Sequence, residues 1–147
     1  MSAQALFAAD ALWPGPLLVA RLLAQVPELR EVLLIDDIDP ALPPTRQYPA
    51  ALVMLDAFGP QPADPQQLVA NAQQDWVVAI AVQSVAADLD RSMRAVGPLV
   101  SKVVKALQGW VPDGQRNAFA WRRSLRVARS PAYTYYPFVF SLQVVTA

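Results

Sequence analysis

The sequence predicts an α+β fold: a mostly antiparallel, mixed sheet of about five strands packed with two main helices, in the order α-β-β-β-α-β-β. Three observations carry that reading. Trp76–Val82 is apolar on both faces of a strand, and Tyr136, Phe138, Phe140, Leu142 and Val144 recur at every second position of Tyr133–Val145. One long stripe at three- and four-residue spacing runs from Met93 to Trp110. Ten of the 14 prolines fall before residue 66, which breaks the first half into short elements and leaves the second half free for long ones. At 147 residues the chain reads as one domain, 1–147. A chain of that size buries roughly 68–70% of its unfolded surface, enough for a sizeable core.

The first helix follows Gly15-Pro16, with Leu17, Leu18, Val19, Leu22, Leu23 and Val26 as its apolar positions. Gly15 reads as the N-cap, Pro16 as the first helical residue and Pro27 as the stop. Arg21 and Gln25 lie off the stripe. Glu31–Ile35 is the first strand, ended by Asp36-Asp37-Ile38-Asp39-Pro40, and Pro49–Leu55 is the second. Phe58–Asn71, with Gly59, Pro60, Pro62 and Pro65, shows no period and reads as a long loop, of the kind that is often functional or mobile.

Trp76–Val82 is apolar on both faces and so predicts a central strand. Ser92–Gln108 is the longest helix, with Met93, Val96, Val100, Val103, Leu107 and Trp110 on one face, Asp88 or Asp90 at its start and Gly109 at its end. Gly97-Pro98 moves the expected start towards Pro98. Phe119–Val127 reads as a half-exposed strand, with Phe119, Trp121, Leu125 and Val127 opposed to Arg122, Ser124 and Arg126. Tyr133–Val145 is the last strand, with Tyr136, Phe138, Phe140, Leu142 and Val144 buried. Pro137 cannot donate to a ladder, so this end of the strand is expected at an edge or a bulge.

The charge is bipolar. Residues 1–90 carry 11 acidic groups against Arg21, Arg30 and Arg46, a net of −8. Residues 91–147 carry nine Lys/Arg against Asp113, a net of +8. Such a chain can fold acid onto base, bind a charged partner or pack head to tail on copies of itself. Apolar content of 54% with 16% charge has two explanations, many alanines or surface that an oligomer covers. No apolar run is long enough for a bilayer, and Met1–Trp13 has no basic residue before its apolar stretch, so neither a membrane span nor a secretory signal is expected. The lack of Cys excludes disulfides and is compatible with a cytosolic protein.

With no His and no Cys, the chain has no Ser-His-Asp or Cys-His arrangement and no His-ligated metal. Its five glycines form no phosphate-cradling pattern, and no Gly-x-Ser-x-Gly turn occurs. Asp36, Asp37 and Asp39 follow a strand and have the chemistry to hold Mg²⁺ or Ca²⁺, but the favoured reading is a solvated turn before Pro40. No catalytic, cofactor or metal residue is assigned, and the chain is read as an assembly protein rather than an enzyme. Arg122, Arg123, Arg126 and Arg129, with Arg116 upstream, form the informative cluster. Arg122 and Arg126 are expected on one strand face at i, i+4. Arginines in that pattern hold phosphates or carboxylates. A neutral total charge favours an acidic protein neighbour over nucleic acid, and Tyr133, Tyr135 and Tyr136 are read as strand packing before base stacking.

Four pieces of the second half, in their order and spacing, resemble the tail terminator proteins of tailed phages, in particular their Mu-like branch. They are Gln74-Asp75-Trp76 leading the strand to Val82; Gly97-Pro98-Leu99-Val100 opening a helix that ends Gly109-Trp110-Val111-Pro112; the basic strand Arg122–Val127; and Tyr133-Thr134-Tyr135-Tyr136-Pro137-Phe138-Val139-Phe140. The strand at Pro49–Val53 also fits, so the likeness covers about residues 45–145.

The resemblance implies a virion structural protein without cofactor or catalysis. Its subunits form a ring, a hexamer in this family, at the head-proximal end of the tail tube, after assembly in the host cytoplasm. The ring stops tube polymerisation and docks the head or neck. Implied partners are further copies, the major tail tube protein, neck or connector proteins and the tape measure protein, with DNA passing through the ring. Arg122, Arg123, Arg126 and Arg129 are expected to face Asp36, Asp37 or Asp39 of the next subunit. Phe58, Gln61, Asp64, Gln66 and Gln67 are expected in a flexible loop to the tube. The alternatives are a neck or head-completion ring protein and a nucleic-acid-binding module using the arginine strand.

Overall fold

The computed structural model describes residues 5, 7, 9–36, 47–60, 71–83, 89–113, 115–130 and 133–145. Two helices, α1 (Pro14–Gln25) and α2 (Leu89–Leu107), lie with a six-stranded sheet of β1 (Glu31–Leu34), β2 (Ala50–Pro60), β3 (Asn71–Gln83), β4 (Ala120–Ser124), β5 (Ala128–Arg129) and β6 (Tyr133–Val145). The strand order is β1-β2-β3-β6-β4, with β5 beside β4 on the same flank of β6. β1 is parallel to β2 and every other pair is antiparallel. The expected α+β class and element order hold, with the short β5 added. No described helix is long and apolar enough to cross a membrane.

Helix α1 starts two residues earlier than expected. Pro14, not Pro16, opens it, and Trp13 occupies the N-cap without a side-chain hydrogen bond. Gly15 therefore serves packing and not capping. A Cβ there would sit 2.9 Å from Cη2 of Trp76 and 3.3 Å from Cδ1 of Leu34, so only glycine lets the helix approach the sheet this closely. Leu18, Leu22 and Val26 are buried, and the helix stops before Pro27 as its sequence dictates.

The two faces of the sheet are both buried. Helices α1 and α2 cover Val32, Ala51, Val53, Trp76, Val78, Ile80, Phe138, Phe140, Leu142 and Val144. The opposite face gathers Leu52, Val77, Ala79, Ala81, Tyr133, Tyr135 and Val139, with Tyr48 and Leu125 packed against them. Strand β3 is thus central, as its doubly apolar pattern requires. Tyr133 and Tyr135 lie ring to ring at 4.7 Å within this second core, consistent with strand packing.

Strands β2 and β3 are longer than expected. Ala57–Pro60 pair with Ala72–Asp75, beyond a bulge at Asp56, so most of the ends of the supposed loop Phe58–Asn71 are ladder. Backbone pairing continues there while the β2 residues themselves become largely exposed, so no apolar alternation marks it in sequence. Phe58 is consequently a strand residue, stacked on Phe7 at 6.3 Å. Helix α2 also runs further back, from Leu89 straight through Gly97-Pro98. Its buried face is Val96, Leu99, Val103, Ala106 and Leu107, whereas Met93, expected in the stripe, is exposed. Asp88 lies outside the described residues. Gly109 ends the helix at φ +76° and donates its N–H to the Phe119 carbonyl at 2.8 Å.

Strand β6 lies inside the sheet, whereas its Pro137 end is expected at an edge or a bulge. It pairs along its whole length with β3, Pro137 opposite Ala79. Its other flank resolves the conflict. The Pro137 carbonyl accepts the Leu125 N–H at 3.0 Å, so the missing Pro137 N–H also points to that flank. There β4 has ended at Ser124 and β5 begins only at Ala128. The absent donor faces the break.

One polar side chain is locked into the helix-side core. Gln74 is 0% exposed. Its Nε2 donates to the Ala11 carbonyl at 2.6 Å, and its Oε1 accepts the Trp76 indole N–H at 2.9 Å. Residues two apart on a strand share a face, which is why a Gln-x-Trp spacing permits the bond.

Candidate subunit interface

Among the described residues the sheet ends in two outer strand flanks, and the residue types expected at an interface fall on opposite ones. β1 forms one flank and ends beside Asp36, which is exposed; Asp37 and Asp39 lie outside the described residues. β4 and β5 form the other flank and carry Arg122, Arg123 and Arg129, all exposed, with exposed Arg126 between them.

The arginines do not form the single strand face expected of them. The ladder with β6 slips between Trp121 and Arg123, so the bulge puts Arg122 out of alternation. Beyond Leu125, whose N–H still bonds the Pro137 carbonyl, the strand is interrupted until Ala128, and Arg126 sits in that interruption. Arg129 returns to pairing opposite Thr134. Arg123 is engaged within the chain. Its guanidinium lies 3.2 Å from the Asp56 carboxylate on β2, a reach across β6 and β3 over the second face. Asp56 was not legible as this partner because its position depends on the bulge in β2. Beside this pair Asp75 accepts from Ser141 Oγ at 2.5 Å and from Gln73 Nε2 at 2.9 Å.

Trp121 marks the β4 flank on the helix side. It is 44% exposed, packed edge-on against Phe138 at 6.0 Å. Its backbone N–H donates to Oε1 of Gln108 at 2.6 Å, tying β4 to the end of α2, and its indole N–H donates to the Arg123 carbonyl at 3.1 Å. At the β1 flank, Leu12, Leu34, Ile35, Asp36, Leu55 and Trp76 line an apolar groove of about 300 Å³. Leu12 is 42% and Leu34 50% exposed. Sequence reasoning missed this groove, whose walls come from four separate segments.

The helical layer carries a second depression, of about 390 Å³, lined by Arg21, Gln25, Pro27, Glu28, Lys102, Lys105 and Ala106. Arg21 is fixed there by a 3.0 Å bond from Nε to the Ala106 carbonyl and by its position 5.2 Å over the Trp110 ring. Lys102 pairs with Glu28, and the hydrogen bond from Lys102 holds the Glu28 carboxyl below its usual value. Among the described residues no three acidic side chains come together as a metal site. Of the expected loop residues only Phe58 is described; Gln61, Asp64, Gln66 and Gln67 lie outside.

A solved chain from the "Virion of native gene transfer agent (GTA) particle" is similar at 17% identity and a TM-score of 0.46, covering 98% of this chain and 92% of that one. No curated protein matches. The family model described as "Phage tail terminator protein" matches residues 8–147. The chain belongs to the phage tail terminator family and is a structural protein of the phage tail.

Proposed function

We propose that the protein forms a closed ring on the head-proximal end of the tail tube, where it ends tube polymerisation and receives the head or neck. The observation that supports this most is the division of charge between the two flanks of one sheet, Asp36 beside β1 and the arginines on β4, β5 and their connection. A ring uses heterologous contacts, so each subunit needs two different, complementary surfaces. Opposite flanks of a sheet supply them at the correct separation for side-by-side copies. Arg122, Arg126 and Arg129 face Asp36 and its acidic neighbours in the next copy; Arg123 contributes less, because Asp56 already engages it.

The β2–β3 hairpin, whose β2 strand is largely exposed from Asp56 onwards, is the proposed contact to the tube, with Phe58 on that stretch. Partners in this reading are the tail tube protein, the neck proteins and the tape measure protein, with DNA passing through the ring. Electron microscopy of particles made without this gene tests the function. Headless tubes of variable, excessive length are expected. Tubes of normal length that lack heads would move the protein to the neck, and intact virions would refute a role in the tail. At the residue level, Arg126→Glu should weaken assembly and reverse its response to salt; unchanged assembly at every salt concentration would remove Arg126 from the interface.

A further inference from the structure

We infer that Trp121 of one copy fills the apolar groove at the β1 flank of the next copy. The inference rests on the ring reading and names the anchor of its subunit contact. The register of the sheet carries it. Leu55 pairs with Trp76, Trp76 with Phe140, and Phe140 with Trp121. These four residues form one transverse row on the helix side of the sheet. The row begins in the groove, whose floor includes Leu55 and Trp76, and ends in the exposed indole of Trp121. Copies set flank to flank therefore bring Trp121 to the mouth of the neighbouring groove at the same height, with no shift along the strands.

Three further features agree. β1 pairs with β2 only as far as Leu34, opposite Val53, so among the described residues no strand lies outside Leu55 on the flank that a neighbour approaches. The groove volume of about 300 Å³ accommodates one large aromatic side chain. Charge is complementary around the anchor: Asp36 stands on the groove rim, and Arg122 follows Trp121 in the chain. An aromatic anchor ringed by opposite charges is the usual composition of an interface centre, where tryptophan and arginine are enriched.

Engineered cysteines test this, since the natural chain has none. In an Asp36→Cys, Arg122→Cys chain the two thiols lie on opposite flanks of the sheet, four strand spacings or about 19 Å apart. A disulfide needs Cα atoms roughly 4–7 Å apart, so any bridge joins two copies. Tails assembled with this chain should give, on oxidation, a ladder of covalent multimers ending at the full ring. Adding Trp121→Ala should cut the cross-linked fraction by about tenfold or more, while Trp121→Phe should retain most of it. A ring present on the tail with no ladder, or with a ladder indifferent to Trp121→Ala, would overturn the anchor and leave the ring standing. A protein absent from the tail end would overturn both. Circular dichroism of the Trp121→Ala chain separates a lost contact from a lost fold.

Discussion

Replacing Gln74 by leucine removes the one polar bridge in the helix-side core while keeping nearly the same bulk. Two groups lose their partner, the Trp76 indole N–H, on a side chain only 2% exposed, and the part-buried Ala11 carbonyl. A buried unpaired donor costs about 1–3 kcal/mol, and an ordinary net hydrogen bond contributes about 0.5–1.5 kcal/mol. The added apolar atoms of leucine offset part of the loss, which leaves an expected destabilisation of about 2–4 kcal/mol. For a chain of this length each kcal/mol moves the melting temperature by roughly 2–4 °C, so a fall on the order of 10 °C is expected. Urea unfolding followed by far-ultraviolet circular dichroism measures it, with the slope m unchanged and the midpoint lowered. The same replacement in a Trp76→Phe background should cost at least about 1 kcal/mol less, because that background has no indole N–H to strand. Curves for Gln74→Leu that overlay the parent within about 0.5 kcal/mol, or a double-mutant coupling near zero, would refute the reasoning.

Gly15→Ala should destabilise by about 1–3 kcal/mol, since its methyl would meet the Trp76 ring at 2.9 Å; thermal melting reads the loss, and a shifted tryptophan emission reads the displaced ring. Glu28 has a lowered folded-state pKa from its hydrogen bond with Lys102, so its stabilisation is present above the unfolded glutamate value and disappears as pH falls through the lowered one. Glu28→Gln should therefore be less stable than the parent at neutral pH and indistinguishable from it in strong acid, with a difference that added salt reduces. Tyr48 has the opposite sign: burial, then the nearby Tyr133, raises its phenol, so its contribution holds below the ordinary tyrosine value and is lost as pH rises through the raised one. In Tyr48→Phe the alkaline decline in stability should be shallower. Arg123→Ala should cost no more than about 1 kcal/mol in unfolding experiments, because the pair with Asp56 is largely solvent-exposed.

The parts of the fold legible in the sequence are those where packing alone writes the pattern. Tyr133–Val145 has the expected bounds, because every second residue faces a core on each side. The helix stripe near Val96, Val103 and Leu107 is legible for the same reason. What was not legible depends on partners distant in the chain. Gly15 looked like a cap because Gly-Pro is a local signal, whereas its role is set by Trp76, 61 residues further on. Ala57–Pro60 looked like loop because a paired backbone whose side chains are largely exposed leaves no hydrophobic mark. At the candidate interface the arginines were visible as a cluster, but the bulge before Arg123 and the claim of Asp56 on its side chain arise only when β2, β3, β6 and β4 lie side by side.

Pro137 shows how far a single ring closure can act. Any other residue there would present an N–H to its flank and invite the neighbouring chain to continue as one uninterrupted strand from Ala120 to Arg129. Proline withholds that invitation, and regular pairing is interrupted between Ser124 and Ala128. Arg126 lies in the interruption, exposed. An imino acid in the middle of the sheet thereby decides where the arginine-bearing border is broken. Restoring the donor at position 137 would straighten the border and redraw the electrostatic outline of the molecule without touching one charged side chain.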